Sequence, residues 1–435
     1  MKAGFISLGC SKNLVVTEEI IGLFKKHNFI ITNNPDEAEI LLINTCGFIE
    51  SAKKEAVDTI LEMADYKNSN CKYLIVVGCL VQRYEEELRK ELPEVDLFVS
   101  IKDYDSLWER IEKLINNKSE SDYLNYMDRY LTTGDSMAYL KIAEGCSNYC
   151  TYCAIPYIQG RYVSREYEDI IAEAKELAKK GIKELVVIAQ DTTKYGIDLY
   201  GKSRLAELLK DLAKLDFKWI RFLYSYPESI DEELIEVVKK NDKICNYFDI
   251  PIQHISNNIL KRMNRKTDSE SIKNIINKLR KEIPDVIIRT TLIVGFPGET
   301  EEDFNELYDF VKDCKFDRLG AFSYSAEDGT PAAKFENQID EKTKEKRRKL
   351  IMELQQKVSK EKQASKIGKT YECLIENVTE DGKYYIGRSY MDVPSEDGVI
   401  YIENDGTLMI NEFALIKIVD STEYDLYGVS VKEIS

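Results

Sequence analysis

Histidine is nearly missing: His27 and His254 are the only two in 435 residues. A metal site built on several imidazoles is excluded, so any metal must sit mostly on sulfur. Also missing is an apolar run of the roughly 18–20 residues that a membrane span requires. The opening "MKAGFISLGCSKN" has one Lys and a short β-like run, without the long apolar segment and cleavage site of a secretory signal. The expected location is cytoplasmic, with no membrane partner. Positive charge is in deficit. The 61 Lys and Arg face 77 Asp and Glu, a net charge of −16, which repels nucleic acid unless a basic face is segregated. The ten cysteines are too few for a disulfide scaffold in a chain of this length. They are also too clustered for chance, and in a reducing compartment such clusters more often bind metal.

What is present reads as a soluble globular α/β chain, 43% apolar and 32% charged. Three apolar runs near the start, "AGFISLGC", "AEILLINTCGF" and "CKYLIVVGCL", read as buried strands ending near Cys10, Cys46 and Cys79, each followed by a helical pattern. Alternation of this kind implies a parallel sheet with its ligands beyond the carboxyl ends of the strands. The three cysteines should therefore converge, each before a helix whose dipole lowers a thiol pKa. The expected N-terminal parallel α/β domain covers 1–115, and the polar stretch 116–136 reads as a linker. From 137 to 365 six further strands, from "AYLKIAEG" to "RLGAFSYSAEDGTP", alternate with helical patterns and suggest a partial or full (β/α) barrel with its active face at the strand C-termini. Its last helical stretch, 339–367, places Leu350, Ile351, Leu354 and Val358 on one stripe that packs back on the barrel. From 366 to 435 short alternating strands with Gly/Asp turns give the pattern of a small all-β barrel. That tail carries six Lys and Arg (Lys366, Lys369, Lys383, Arg388, Lys417 and Lys432) against fourteen Asp and Glu, a balance of −8. A β-barrel of this sign is wrong for holding phosphates.

"GCSNYCTYC" places Cys146, Cys150 and Cys153 at C-x3-C-x2-C spacing on a loop after the first barrel strand. Three thiolates can hold three irons of a 4Fe–4S cube and leave the fourth iron open to a substrate or cofactor. A zinc site would need a fourth ligand; Cys245 or Cys314 could supply one, though neither stands at a recognisable spacing. For Cys10, Cys46 and Cys79 the alternative is three buried core thiols. Cys71, Cys245, Cys314 and Cys373 read as structural.

The stretch 145–153 resembles the radical S-adenosylmethionine (SAM) enzymes. Two cysteine trios in this order followed by a small β-barrel resemble, over essentially the whole chain, the methylthiotransferase family: an N-terminal methylthiotransferase domain, a radical SAM partial barrel and a C-terminal TRAM domain. "SLGCSKNLVVTE" (7–18), "NTCGFIESAKKE" (44–55) and "KIAEGCSNYCTYCAIPYIQGRYVSR" (141–165) look like the branch that modifies small-subunit ribosomal protein S-twelve. The tRNA-modifying branches usually carry a pattern of the type G-C-Q-M-N at the first cysteine and tend to lack the histidine that stands here as His254. Val16 departs from the Asp common in the family.

The resemblance implies two 4Fe–4S clusters and SAM. Cys146, Cys150 and Cys153 would hold the cluster that cleaves SAM to a 5′-deoxyadenosyl radical. Cys10, Cys46 and Cys79 would hold an auxiliary cluster whose open iron carries the sulfur to be transferred. Tyr152 would lie near the adenine; Gln190 and Asp191 are placed for the SAM amino acid or ribose. Gly295 and Gly298, in "TTLIVGFPGET", allow close backbone approach to a ligand. These last four positions also read as ordinary βα turns, and His254 reads equally as a core or a pocket residue. No catalytic side chain is expected beyond the cluster ligands. One SAM would methylate the sulfur, and a second would yield the radical that abstracts hydrogen from the β-carbon of an aspartate in the ribosomal protein. A reductant such as flavodoxin or ferredoxin is implied. A basic ribosomal protein suits the acidic tail better than tRNA does. Two rivals stand: a tRNA methylthiotransferase, and a non-catalytic iron–sulfur protein for electron transfer or redox sensing. The second would want fully ligated clusters.

Overall fold

The structure is a computed structural model that describes residues 1–431; Lys432 and the last residues of the 366–435 range lie outside the described residues. The N-terminal unit is a five-stranded parallel sheet of order β2-β1-β3-β4-β5. Its strands are β1 (Lys2–Ser7), β2 (Ile30–Ile31), β3 (Ile40–Thr45), β4 (Tyr73–Gly78) and β5 (Leu97–Ser100). Every residue of β3, "ILLINT", is buried, as a central strand covered on both faces requires. Helices α1 (Ser11–Lys26), α2 (Glu50–Ala64), α3 (Cys79–Glu91) and α4 (Leu107–Asn116) cover the faces. The carboxyl ends of β1, β3 and β4 lie side by side at the point where the strand order reverses, the usual ligand position in such sheets.

The central unit holds all six expected strands, and each pairs in parallel with its neighbour: β6 (Met137–Lys141), β9 (Glu184–Ile188) and β10 (Trp219–Phe222) in one sheet, β11 (Tyr247–Asp249), β12 (Ile287–Val294) and β13 (Arg318–Ser323) in another. A parallel bridge between Ile220 and Ile244 joins the two halves, so the six strands form a partial barrel. A short hairpin, β7 (Ala143–Glu144) with β8 (Val163–Ser164), brackets the loop bearing Cys146, Cys150 and Cys153. Within that bracket lies α5 (Ile155–Ile158). Outside the barrel run α6 (Tyr167–Lys179), the short α7 (Ile197–Tyr200), α8 (Leu205–Leu212), α9 (Glu232–Lys239), α10 (Asn257–Arg262), α11 (Ser269–Glu282) and α12 (Glu301–Cys314). Asp231, Asp268 and the Thr300–Asp303 capping box supply the acceptors that start α9, α11 and α12. The charged helix α13 (Glu341–Ala364) buries Ile351 and Val358 against β13 and α12.

The C-terminal unit is a closed barrel of order β14-β15-β16-β18-β17: β14 (Thr370–Val378), β15 (Tyr384–Ser389), β16 (Ile400–Glu403), β17 (Phe413–Ser421) and β18 (Leu426–Ser430). It packs at the N-terminal ends of the barrel strands. There Glu184, fully buried, pairs with Arg221 at 3.0 Å and with Arg388 at 2.6 Å. Among the described residues no helix is long and apolar enough to cross a membrane.

The stretch 116–136 is irregular but far from slack. Buried Arg129 reaches Glu18 of α1 at 3.2 Å and Glu173 of α6 at 3.0 Å, and the Thr132 N–H donates to Glu18 at 2.6 Å. This strap fastens the N-terminal sheet to the barrel.

Candidate functional site: two cysteine trios face to face

Cys10 caps α1, Cys79 opens α3, and Cys46 lies just after β3. Asn13 ties the three loops together. Its Nδ2 donates to the Leu8 carbonyl at 3.0 Å and to the Thr45 carbonyl at 3.1 Å, and its Oδ1 accepts from Cys79 Sγ at 3.8 Å. Gly9, at φ +88°, brings the first loop onto the second: a Cβ there would stand 2.6 Å from Cys46 Cβ. Only glycine combines that backbone with that proximity. Gly47 lies equally close to the backbone at Cys79 and Leu80. The convergence expected from the strand ends is thus built by Gly9, Asn13 and Gly47.

For Cys46 and Cys79 burial works against the helix ends. Burial raises the Cys46 thiol, and burial followed by repulsion from Cys46 and Cys10 pushes Cys79 up to about 12. Desolvation and mutual repulsion outweigh the helix ends. Lys12, two residues after Cys10, loses charge stability to burial but regains more from Tyr224, Cys10 and Asp249, so its pKa is raised.

In the second trio Cys146 and Cys150 are buried and Cys153 is partly so. The loop is pinned through Thr151, whose N–H and hydroxyl donate to the Met263 and Arg262 carbonyls at 3.1 and 2.8 Å. Burial raises Cys146 to about 11. Two polar groups reach Cys150 Sγ: Arg265 Nη1, which donates at 3.9 Å, and the Tyr226 hydroxyl, able to donate, at 3.7 Å. Such donors suit a thiolate ligand. Among the described residues no three His, Cys, Asp or Glu side chains close on a single ion. A cube spreads its ligands over separate irons, so three thiols per site fit three corners of a cluster.

The two trios meet. Cys79 packs against Ala154 and Ile158, directly after Cys153. Gln159 Nε2 donates to Cys79 Sγ at 3.9 Å, while its Oε1 accepts from Gln190 Nε2 at 2.7 Å. Glu327, buried in the loop after β13, accepts from the Glu50 N–H at 3.0 Å and stands 3.4 Å from Lys53 and 3.8 Å from Arg83. It fixes the N-terminal sheet across the barrel mouth. Three non-glycine residues at this mouth have left-handed backbones, Tyr149, Tyr224 and Gln253, and strain of this kind concentrates where structure serves a site.

The expected SAM contacts sort differently. Gln190 faces the junction through Gln159. Asp191 is fully buried and committed: it accepts from Asn148 Nδ2 at 2.9 Å and Thr193 Oγ1 at 2.5 Å, bracing the cysteine loop, with its pKa raised by burial. Tyr152 packs with Ile259, Met263, Phe296 and Tyr324 beneath Cys150. The space that Gly295 and Gly298 leave is filled by Lys344 and Arg262, which a Cβ would meet at 2.4 and 2.9 Å; the close approach there is to protein. His254 is buried behind this turn. Its Nδ1 accepts from the Ser256 N–H at 3.0 Å, and Nε2 faces Glu299 at 3.5 Å, a carboxylate that also holds Arg347 and the Gly295 N–H. Sequence reasoning missed Lys12, Asn13, Gln159, Tyr226, Arg265 and Glu327. The motifs containing Lys12, Asn13, Gln159 and Glu327 were in view, but nothing in spacing showed where their side chains reach.

A six-stranded partial barrel with C-x3-C-x2-C at its mouth, a second cysteine trio on an added parallel sheet, and a terminal five-stranded barrel define a radical SAM enzyme of three-part build. Family models match accordingly: "Uncharacterized protein family UPF0004" over 2–100, "Radical SAM superfamily" over 140–311 and "TRAM domain" over 367–431. The chain is 63% identical to a "Ribosomal protein uS12 methylthiotransferase RimO" of Alkaliphilus oremlandii over 98% of each chain. It is 54% identical to the protein of the same name from Clostridioides difficile over 100% of each. The chain belongs to this RimO family of radical SAM methylthiotransferases. A radical S-adenosylmethionine methyltransferase, TsrM, from Kitasatospora setae shares the fold, with a TM-score of 0.58 at 12% identity over 76% of each chain.

Proposed function

We propose that this enzyme transfers a methylthio group to the β-carbon of an aspartate in ribosomal protein uS12, using two 4Fe–4S clusters and SAM. The observation that carries the reading is the packing of Cys79 against Ala154 and Ile158, which follow Cys153, on a chain related along its whole length to enzymes named for uS12. Cys146, Cys150 and Cys153 are assigned to one cluster; Cys10, Cys46 and Cys79 to the other. When bound, the clusters and SAM supply the radical that opens an unactivated C–H bond and the methylthio group that replaces the hydrogen. The protein's own part is placement. Glu327 and the Arg129 strap fix the two sites relative to one another. Arg265 and Tyr226 stabilise charge on Cys150, and Gln159 does so on Cys79.

The acidic tail favours a basic protein over tRNA, since a ribosomal protein brings positive charge and tRNA a dense negative one. A small reductant of the flavodoxin or ferredoxin type and a cytoplasmic location complete the reading. Mass spectrometry of purified uS12 and of tRNA after anaerobic reaction with the reconstituted enzyme, SAM and reductant tests it. A gain of one methylthio group on an aspartate of uS12 is expected. Modification of tRNA alone, or reaction mixtures without 5′-deoxyadenosine, would overturn it.

A further inference from the structure

Between the N-terminal sheet, the strap and the barrel lies a cavity of about 310 Å³, lined among others by Lys12, Asn13, Glu19, Tyr104, Lys141 and Gln159. Its position is defined by the site: Asn13 and Gln159 both touch Cys79. The charges in its wall are mostly spoken for. Lys141 pairs with Glu144 and stands 3.9 Å from Glu19. Lys12 is different. It is only 6% exposed, yet among the described residues it forms no ion pair with any carboxylate. Its ammonium instead sits 3.6 Å from the centre of the Tyr224 ring, just beyond the carboxyl end of β10. Asp249, an acid across the mouth that acts on Lys12 through space, is engaged by the Tyr224 N–H at 3.1 Å. A side chain from the first turn of α1 thus crosses to the barrel mouth and ends there as a buried cation lying on an aromatic face.

An ammonium that is buried and charged, yet has no carboxylate in an ion pair, is placed to take one from a ligand. A cation–π contact is a weak holding position, worth about 0.5–2 kcal/mol, and yields readily to a charge-assisted hydrogen bond. We propose that Lys12 receives the side-chain carboxylate of the substrate aspartate, a role that rests on the function proposed above. The chemistry gives the reason. In aspartate the β-carbon is bonded directly to the carboxyl carbon, so an ammonium that fixes the carboxylate also fixes the C–H bond to be opened. Lys12 stands two residues after Cys10, and its ammonium lies on Tyr224, two residues before Tyr226, whose hydroxyl is 3.7 Å from Cys150 Sγ, so a carboxylate held there is near both cysteine loops.

The test is a substrate-by-enzyme cycle with the full-length, anaerobically reconstituted chain. Binding of uS12, and of uS12 with the modified aspartate replaced by asparagine, is measured for the wild type, Lys12→Met and Lys12→Arg, alongside iron content. For the wild type the asparagine form should bind at least ~30-fold more weakly. Lys12→Met should lose that discrimination at unchanged iron content, and Lys12→Arg, keeping the charge, should restore most of it. An aspartate-to-asparagine ratio that is the same in Lys12→Met as in wild type overturns the inference. So does loss of iron in both variants, because Lys12 would then serve the fold. A wild type that does not modify uS12 sinks the parent reading as well, whereas modification with an unchanged ratio sinks this inference alone.

Discussion

Asn13 is a single amide that holds the ends of three strands. Both its N–H groups and its oxygen are used, on Leu8, Thr45 and Cys79, and its own carbonyl accepts from Asn44 Nδ2 at 2.9 Å. Asn13→Ala removes the donors while the carbonyls stay buried, which costs roughly 1–3 kcal/mol for each acceptor left bare. The damage falls on the loops of Cys10 and Cys46 and leaves the Cys146 loop alone. Iron analysis after anaerobic reconstitution should therefore fall from about eight to about four irons per chain, with thermal stability lowered. Eight irons retained in Asn13→Ala would show that the loops keep their places without the amide. Gln159 works on a similar principle from the other side. Because Gln190 donates to its oxygen, its NH2 is the end turned to Cys79, which fixes the amide as a donor to sulfur.

At the scale of elements, α1 is the unusual helix. It buries Lys12, Asn13, Thr17, Glu18 and Glu19 together with its apolar residues, because one face lies on its own sheet and the other on β6 and the strap. Glu19 bears the consequence. Burial, only partly offset by Lys141, raises its pKa to about 7. The folded state therefore holds this proton more tightly than the unfolded chain, whose glutamates titrate near 4.5. The resulting stabilisation is complete below that value and is lost as pH rises through about 7. Unfolding midpoints should fall between pH 5 and pH 8, and Glu19→Gln, neutral throughout, should flatten the slope by about 3 kcal/mol. An identical slope in the variant would exclude Glu19 as its source. The strands were legible in the sequence because Val/Ile-rich runs between turn residues leave few options: all six barrel strands, the five of the terminal barrel and the three cysteine-bearing strands were read. The Leu97–Ser100 strand was not, being only four residues long. Nor was the burial of α1 or of the strap, since a polar stripe reads as a solvated face until a second domain covers it. The bracing role of Asp191 was hidden for a related reason. A carboxylate at a strand end looks free for a ligand, and only the fold shows that Asn148 and Thr193 already occupy it.

At the scale of the whole molecule, the charge is distributed unevenly. Two of the tail's six cations are withdrawn from its surface: Arg388 is buried against Glu184 and Glu376, and Lys366 is buried with its pKa lowered to about 8, chiefly by desolvation. Within the described residues Lys369, Lys383 and Lys417 remain exposed in the tail against seven exposed Asp and Glu, so its outer face keeps the acidic balance of its composition. This barrel sits at the N-terminal ends of the strands, while the cysteines gather at their C-terminal ends. Its field therefore acts on the approach of a basic partner and leaves the grip at the reacting atoms to residues such as Lys12. Long-range attraction of this kind is screened over about 10 Å at 0.1 M salt, whereas buried contacts are screened far less. Raising KCl from 50 to 500 mM should slow association of uS12 by ~10-fold or more and leave its dissociation rate and the turnover of the bound complex nearly unchanged. Stopped-flow association kinetics with labelled uS12 separates the two. Replacing Glu403 and Asp405, both exposed on the tail, with Gln and Asn should reduce the salt dependence in the same direction. A rate that rises with salt would mean that the acidic face repels its partner, and would turn the choice of substrate toward a molecule of the opposite charge.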